Sequence, residues 1–250
     1  MLTEERKSEI LNIVNEKRSI TVQELTDMMD VSESTIRRDI TALAKEGKLV
    51  KVFGSAVALD DPAAKTDLTV LMKESINRAE KLTIARYAAS LIVPGDYVFL
   101  DAGTTTEYMI GFINEKRATY ITNSVSHAQN LSSKGLKTLL VGGELTENLN
   151  VVIGADAVLH IQKYHFSKGF FGTEGVDFKM GFTAGDMREA LIKRVAIQNT
   201  HSGERYVLAD HEKFGRASSV SFSDFLGVIV LTDKYPGESY SKKMDVKVVQ

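Results

Sequence analysis

The chain has 250 residues, of which 43% are hydrophobic and 26% charged, a composition typical of an ordinary globular protein with one or two domains. No apolar run approaches the roughly 20 residues that a membrane-spanning helix needs, and the charged start MLTEERKSEI lacks the apolar core of a signal peptide. Cysteine is absent, which excludes disulfides and thiolate metal sites. We therefore expect a cytoplasmic protein without a bound metal or cofactor.

The net charge of −2 argues against unspecific attraction to nucleic acid, but the charges are unevenly distributed. Residues 31–59 contain five basic and three acidic residues, whereas residues 1–30 contain four basic and seven acidic ones. A small positive segment in a mildly acidic chain is typical of a sequence-specific DNA-binding protein.

Three short helical patterns open the chain. Residues 4–17 place their apolar side chains on one side. Thr21 and Glu24 have the spacing of a capping box at the start of VQELTDMM. SESTIRRDITALAKEG follows with the apolar spacing of a third helix, which Gly47 is expected to end.

KLVKVFGSAVAL, residues 48–59, contains two β-prone runs around Phe53, Gly54 and Ser55 and predicts a hairpin. Two helices, a tight turn, a third helix and a hairpin within about 55 residues form a winged helix-turn-helix pattern. We therefore expect a DNA-binding domain at residues 1–59, a linker at 60–77 and an α/β domain at 78–250.

The third helix provides most of the candidate DNA contacts. If Ile36, Ile40 and Leu43 face the core, the intervening polar residues face outward. Hydroxyl and guanidinium groups near the start of such a helix reach base edges and phosphates, and lysines of the hairpin reach the DNA backbone. A solvated surface arginine pair is the alternative interpretation of the Arg-Arg sequence. The candidate DNA-binding residues are Ser32, Ser34, Thr35, Arg37, Arg38, Thr41, Lys45, Lys48 and Lys51.

From residue 78 the pattern changes. RAEKLTIARYAASLI is helical, and strand-like runs follow at YVFLDAG, TYITN, KTLLVGG, KGFFGTEG, RYVLAD and GVIVLT. Helical stretches such as MREALIKRVAIQNT separate most of these runs. This alternation predicts a mostly parallel sheet covered by helices on both faces.

DAGTTTEYM, residues 101–109, is the clearest chemical signal in this region. Three threonines follow a glycine at the predicted junction of strand and helix, where free N–H groups favour a phosphate. TYITNSVSH repeats the arrangement at residues 122–124, and LLVGGEL repeats it at residues 142–144. Each loop alone is equally compatible with turn chemistry. Three such loops at the carboxyl ends of successive strands favour a ligand site.

The run VQELTDMMDVSESTIRRDITALAKEGKLVKVFGSA resembles the N-terminal signature of the DeoR family of bacterial sugar-operon repressors. The family usually has two glycines where this chain has Gly54 and Ser55. FSKGFFGTEGVD, GFTAGDMREALIKR and VLADHEKFG extend the resemblance over nearly the whole chain. It implies a C-terminal fold similar to ribose-phosphate isomerases, with sugar-phosphate binding as the sensing event.

The effector-binding residues that this resemblance implies are Asp101, Gly103, Thr104, Thr105, Thr106, Thr122, Asn123 and Ser124, with Lys81, Gly142, Gly143, Glu174, Asp210 and Lys213 as further candidates. Lys213 is also chemically suitable, because a lysine at a strand end can pair with a phosphate; an ordinary surface lysine is the alternative. DAGTTTEYMIGF, FFGTEGVD and GFTAGDMREAL are most similar to fructose-operon repressors, which implies fructose 1-phosphate as the effector. A lactose-type repressor that responds to a hexose 6-phosphate is the alternative.

Three functions are compatible with this sequence: a repressor, an activator, and an enzyme of the phosphosugar isomerase class with an appended helical domain. The first fifth of the chain favours a regulator, because an isomerase does not need it. We expect no catalytic residues, since nucleophile-elbow and G-x-G-x-x-G motifs are absent, and no metal site, since His160 and His165 do not share a helical face. The expected partners are double-stranded operator DNA, a phosphorylated sugar and further copies of the chain in a homodimer or homotetramer.

Overall fold

A computed structural model describes residues 3–17, 19–52, 55–58, 76–146 and 151–250. These residues form two compact units, which divide between Ile76 and Asn77. Most of the predicted linker, residues 60–75, lies outside the described residues, as do Phe53 and Gly54 of the predicted hairpin turn. No helix in the described ranges is both long and apolar enough to cross a membrane.

The N-terminal unit consists of three helices and a small antiparallel sheet. Its elements are α1 (Thr3–Lys17), β1 (Ser19–Thr21), α2 (Val22–Met29), α3 (Glu33–Lys45), β2 (Val50–Val52) and β3 (Ser55–Val57). The strand order is β1-β3-β2, so the predicted hairpin of β2 and β3 is present. The additional strand β1, which the sequence did not predict, pairs with β3. Three residues are too short a run to show a strand periodicity.

Local signals explain where these helices begin and end. The Thr21 hydroxyl accepts a hydrogen bond from the Glu24 N–H at 3.1 Å, and the Glu24 carboxylate accepts one from the Thr21 N–H at 2.8 Å, which confirms the capping box. Gly47 has a φ of 67° just beyond α3, a conformation that glycine adopts without strain. The apolar faces of the three helices form one core, which includes Ile10, Leu25 and Ile36. The unit is the predicted winged helix-turn-helix.

The larger unit is built on a seven-stranded sheet. Its helices are α4 (Arg78–Ser90), α5 (Thr104–Phe112), α6 (Val125–Ser133), α7 (Ala155–Ile161), α8 (Met187–Gln198) and α9 (Glu238–Ser241). The strands of the sheet are β4 (Tyr97–Leu100), β5 (Thr119–Thr122), β6 (Lys137–Leu140), β9 (Lys168–Gly172), β12 (Arg205–Leu208), β14 (Val228–Thr232) and β15 (Asp245–Val248). They lie in the order β15-β14-β12-β9-β4-β5-β6, and every neighbouring pair is parallel.

Helices cover both faces of this sheet, as the sequence predicted. In β4, Val98 and Leu100 belong to one buried cluster together with residues of α4, α5 and α6, whereas Phe99 belongs to another with residues of α7 and α8. This division follows from the alternation of side chains along a strand. The predicted mostly parallel α/β architecture is therefore confirmed.

The remaining strands are antiparallel. The strands β7 (Glu144–Leu145) and β8 (Val152–Ile153) pair with each other, and β10 (Gly175–Asp177), β11 (Gly181–Ala184) and β13 (Val220–Ser223) form a separate sheet. The expectation that residues 142–144 repeat the junction of strand and helix was wrong, because Glu144 begins β7. KGFFGTEG, which was predicted as one strand-like run, is divided between β9 and β10.

Candidate functional site

The outward face of α3 carries most of the candidate DNA-binding side chains. Ile36, Ile40 and Leu43 are buried on its inner face. The exposed residues of the predicted set are Ser32, Ser34, Arg37, Arg38, Lys45, Lys48 and Lys51, and Thr35 and Thr41 are half-buried. At the start of the helix, the Ser32 hydroxyl lies 3.1 Å from that of Ser34 and 2.9 Å from that of Thr35. The predicted outward orientation of this set is therefore observed.

The cations of this face differ in their neighbours. Arg37 donates to the Glu33 carboxylate through Nε at 2.9 Å and Nη2 at 2.5 Å. Lys48 pairs with Glu46 at 2.8 Å, and Lys51 donates to the Thr41 hydroxyl at 2.7 Å. Within the described ranges, the side chains of Arg38 and Lys45 have no hydrogen-bond or ion-pair partner. In the part of the chain that the structure describes, these two exposed cations are therefore not engaged by an acidic side chain.

Asp39 does not belong to the exposed face, although it follows Arg37 and Arg38 in the sequence. Its carboxylate is buried and accepts a hydrogen bond from the Arg6 guanidinium at 2.5 Å. The pair joins α1 to α3, and one acidic charge is thereby removed from the positive segment. Sequence reasoning missed Arg6, but the spacing of Asp39 from Ile36 and Leu43 could have placed it on the inner helical face.

In the larger unit, the sheet order brings together the loops that follow β4, β5, β9 and β12. These strands are parallel, and their carboxyl ends lie at the same edge of the sheet. The Ala102 N–H donates to Asn123 Oδ1 at 3.2 Å, which joins the loops after β4 and β5. The Gly172 N–H donates to Asp101 Oδ2 at 2.9 Å, which joins the ends of β4 and β9. We call this edge the carboxyl-edge site.

The N-terminus of α5 is the part of this site best suited to an anion. Gly103 precedes the helix and provides no side-chain cap, so the first N–H groups have no intrahelical acceptor. Thr104 and Thr105 are half-buried, and within the described residues their hydroxyl groups have no partner. The Thr106 hydroxyl instead donates to the carbonyl oxygens of Asp101 at 2.7 Å and Gly103 at 2.8 Å. Thr106 therefore offers a ligand only its backbone.

The loop at residues 122–124 is hydrogen-bonded internally. The Thr122 hydroxyl accepts from the Ser124 N–H at 3.1 Å, and Asn123 Nδ2 donates to the Val152 carbonyl at 3.3 Å. Ser124 caps α6 by accepting from the His127 N–H at 3.3 Å. The side chains of these three predicted site residues thus build the loop beside α5.

His127 also supports the start of α5, which sequence reasoning missed. Its ring is buried and forms a hydrogen bond with the backbone of Gly103, while Nδ1 has no partner within the described part of the chain. Burial lowers the pKa of His127 to about 4, so the ring is neutral at physiological pH.

A buried ion pair lies at the end of β4. The Lys193 ammonium donates to Asp101 Oδ2 and, at 3.2 Å, to the Gly172 carbonyl. Burial raises the pKa of the Asp101 carboxyl, and the Lys193 ammonium opposes this shift because it favours the carboxylate. Lys193 was absent from the predicted site, since MREALIKRVAIQNT reads only as a helix.

The other predicted site residues lie around the same edge. Glu174 follows β9 and accepts from the Ser218 hydroxyl at 2.9 Å. Asp210 follows β12 and accepts a hydrogen bond from Asn77 Nδ2 at 3.0 Å, which joins this loop to the start of α4. Lys81 is buried in the same helix. Lys213 is half-buried at the end of a short 3-10 helix, His211–Lys213, and its ammonium has no partner within the described residues.

Gly142 and Gly143 lie at the end of the edge strand β6. The Gly142 N–H donates to His160 Nδ1 at 2.8 Å, and a Cβ at Gly143 would lie 2.7 Å from the Ile153 carbonyl. Their contacts are thus with α7 and β8. His160 also contacts the Tyr164 hydroxyl, at 3.2 Å. Among the described residues, no group of three or more His, Asp or Glu side chains is arranged to hold a metal ion.

Comparison with protein families gives two matches. The family model described as the DeoR C terminal sensor domain matches residues 76–234, and that described as the DeoR-like helix-turn-helix domain matches residues 6–61.

Three relatives match over nearly their whole length. An uncharacterized HTH-type transcriptional regulator named FruR, from Bacillus subtilis (strain 168), is 40% identical over 257 residues and 100% of both chains. The lactose phosphotransferase system repressor of Staphylococcus aureus (strain N315) is 33% identical over 94% of this chain and 93% of its own. The HTH-type transcriptional repressor GlcR of Bacillus subtilis (strain 168) is 30% identical over 98% of this chain and 94% of its own.

Two solved structures are similar at low TM-scores. Ribose 5-phosphate isomerase A from Methanocaldococcus jannaschii has a TM-score of 0.41 and 17% identity over 55% of each chain. The full-length sorbitol operon regulator SorC from Klebsiella pneumoniae has a TM-score of 0.36 and 10% identity over 83% of this chain and 89% of its own.

Proposed function

We propose that this chain, which belongs to the DeoR family, represses a sugar-utilisation operon and is released from its operator by a phosphorylated sugar. One observation carries the proposal: the chain combines an exposed recognition helix with an uncapped helix N-terminus in a separate α/β unit. The first feature suits DNA and the second suits a phosphate. A regulator that binds chromosomal DNA acts in the bacterial cytoplasm.

On the DNA side, α3 enters the major groove with its N-terminal residues toward the base edges. Arg38 and Lys45 bind DNA without giving up a side-chain partner among the described residues, whereas Arg37 exchanges Glu33 for DNA. Lys48 and Lys51, beside and on the hairpin, contact backbone phosphates. A homodimer or homotetramer presents two such helices to two half-sites.

On the sensing side, the phosphate binds at the first turn of α5. The N–H groups of residues 104–106 and the hydroxyls of Thr104 and Thr105 donate to its oxygens. Lys213 supplies a cation, and its ammonium has no hydrogen-bond or ion-pair partner among the described residues that a phosphate would have to displace. Glu174 and Asp210, at neighbouring strand ends, accept hydrogen bonds from sugar hydroxyls.

Release requires that effector and operator prefer different states of the protein. The coupling free energy is reciprocal and is typically about 1–3 kcal/mol, or roughly 5- to 150-fold in affinity. A mobility-shift assay on the upstream region of the gene, titrated with sugar phosphates, tests this directly. Operator binding that no phosphorylated sugar weakens would contradict the proposal.

For the effector we propose fructose 1-phosphate, and a hexose 6-phosphate is the alternative. The sequence runs around residues 101–112 and 170–177 support the first, together with the relative named FruR. The relatives named as lactose phosphotransferase system repressors support the second. Calorimetric titration with fructose 1-phosphate, fructose 6-phosphate and free fructose ranks the candidates. Equal binding of free fructose would show that the phosphate is not recognised.

We also propose that the chain is not an enzyme. An isomerase has no use for the winged helix-turn-helix unit. Incubation of the pure protein with several sugar phosphates tests this, because steady turnover would contradict it. Measuring target transcripts in a deletion strain distinguishes the two kinds of regulator, since derepression identifies a repressor and loss of transcript an activator.

A further inference from the structure

Lys193 is a buried cation with no place in the effector contacts proposed above. It lies in α8, whereas the proposed phosphate contacts lie at residues 103–106, before and in the first turn of α5, which we call the anion-binding turn. Its side chain is 7% exposed and that of its partner Asp101 is 2% exposed. A buried charge pair of this kind is weak evidence for stability, because desolvation offsets most of its Coulomb energy. Stability alone therefore does not explain why this ion pair is buried at the end of β4.

The contacts of Lys193 lead directly to the anion-binding turn. Its ammonium binds both Asp101 Oδ2 and the Gly172 carbonyl, and the Gly172 N–H also donates to Asp101 Oδ2. The Asp101 carbonyl in turn accepts the hydroxyl hydrogen bond of Thr106, in the first turn of α5. A displacement of Asp101 thus moves the N–H groups that we propose bind the phosphate.

The charge of Lys193 favours anion binding as well, as do its hydrogen bonds to Asp101 and Gly172. Asp101 immediately precedes the turn, so an unpaired carboxylate there would repel an anionic effector. The Lys193 ammonium neutralises this carboxylate inside the protein. Gly172 is followed by Thr173 and Glu174, so the hydrogen bond from the same ammonium to the Gly172 carbonyl also positions the loop after β9.

We propose that Lys193 is a positioning residue of the effector site, which holds and neutralises Asp101 so that the start of α5 is arranged for an anion. Asp101 then serves the site through this ion pair and not through direct contact with the sugar. This inference rests on the proposed function, because it assigns Lys193 to the same site.

The chain offers a matched control. Lys168 forms a similarly buried ion pair with Asp96, with side chains 12% and 7% exposed and a closest N–O distance of 3.2 Å. This pair also joins β4 and β9, but at the amino ends of the two strands, since Asp96 precedes β4 and Lys168 begins β9. Lys168→Met therefore removes a comparable pair from the same strands at the opposite edge of the sheet.

The test compares Lys193→Met with Lys168→Met in the full-length protein. We expect Lys193→Met to bind fructose 1-phosphate about 10- to 100-fold more weakly than the parent, by analogy with the loss of residues that orient metal ligands. Lys168→Met should bind within about twofold of the parent. Thermal unfolding and operator affinity without effector are measured on both variants. Equal effector affinities in the two variants would overturn the inference.

A second pair of variants applies if Lys193→Met does not fold, since it leaves a buried carboxylate unpaired. Asp101→Asn combined with Lys193→Met, and Asp96→Asn combined with Lys168→Met, remove both charges of each pair. Weaker effector binding in the first double variant alone supports the inference, and parental binding in it overturns the inference. Fructose 6-phosphate is the second probe throughout. A parent protein that binds neither probe would overturn the proposed fructose-phosphate effector and this inference with it, and such a result is distinct from a loss of binding in one variant alone.

Discussion

Replacing Thr105 and Thr106 by valine, one at a time, distinguishes two roles of the hydroxyl groups in the first turn of α5. The Thr106 hydroxyl is fully buried and donates to two backbone carbonyls. That of Thr105 has no partner in the described part of the chain. Valine keeps the shape of threonine and removes the hydroxyl. We expect only Thr106→Val to destabilise the protein.

The magnitudes follow from these contacts. Removal of a buried donor leaves its acceptor unsatisfied and costs about 1–3 kcal/mol, so Thr106→Val should lower the unfolding temperature by about 2–4 °C per kcal/mol lost. Thr105→Val should change stability by less than about 0.5 kcal/mol. A hydrogen bond to a charged phosphate contributes about 1.5–3 kcal/mol, so Thr105→Val should weaken effector binding roughly 10- to 150-fold.

Differential scanning calorimetry and titration calorimetry with fructose 1-phosphate measure both quantities on the same samples. Thr106→Val is also expected to lose effector affinity, because its hydroxyl fastens the turn to Asp101. Unfolding temperature is therefore the quantity that separates the variants. Parental effector affinity in Thr105→Val would refute the assignment of this hydroxyl to the phosphate.

Three further predictions concern other parts of the chain. The Arg37→Ala, Arg38→Ala double variant should fail to shift operator DNA at parental concentrations. For the parent, each phosphate contact should add about −0.9 to the slope of log operator affinity against log salt concentration. A slope near zero would exclude docking through phosphates. Lys213→Ala should still bind operator but resist release by fructose 1-phosphate, and unchanged effector affinity would place the counter-charge elsewhere. The pKa of His127 is about 4 in the folded chain and about 6.5 in the unfolded chain, so the unfolded chain takes up the proton first as pH falls. The free energy of unfolding should therefore decrease by about 3 kcal/mol between pH 6.5 and 4. Urea unfolding at several pH values should show this contribution in the parent and not in His127→Gln.

Much of the fold could be predicted because its signals are local. The capping box of Thr21 and Glu24 spans three residues, and the apolar spacing of α3 repeats within a single helix. Six strands of the parallel sheet fall in strand-like runs that turn residues separate, whereas β15, DVKV, is not an apolar run and was not predicted. The strand β1 and the hairpin of β7 and β8 escaped prediction because two or three residues show no periodicity.

The candidate site was only partly predictable. The motif at residues 101–106 identifies a helix N-terminus, because glycine and threonine influence the local backbone conformation at the start of a helix. The sequence could not distinguish Thr105 from Thr106, because helical phase decides which hydroxyl meets the carbonyls of Asp101 and Gly103. Nor could it identify Asp39 as a buried partner of Arg6, 33 residues away.

The winged helix-turn-helix, the alternation of strands and helices, and a helix N-terminus after β4 follow from local patterns, because each depends on interactions between residues close in the chain. The position of β9 beside β4, which places Gly172 against Asp101 across 71 residues, depends instead on long-range packing. The same packing brings Lys193 of α8 to this carboxylate across 92 residues. A buried charge requires an opposite charge nearby, and which residue meets it depends on the order of strands and the packing of helices.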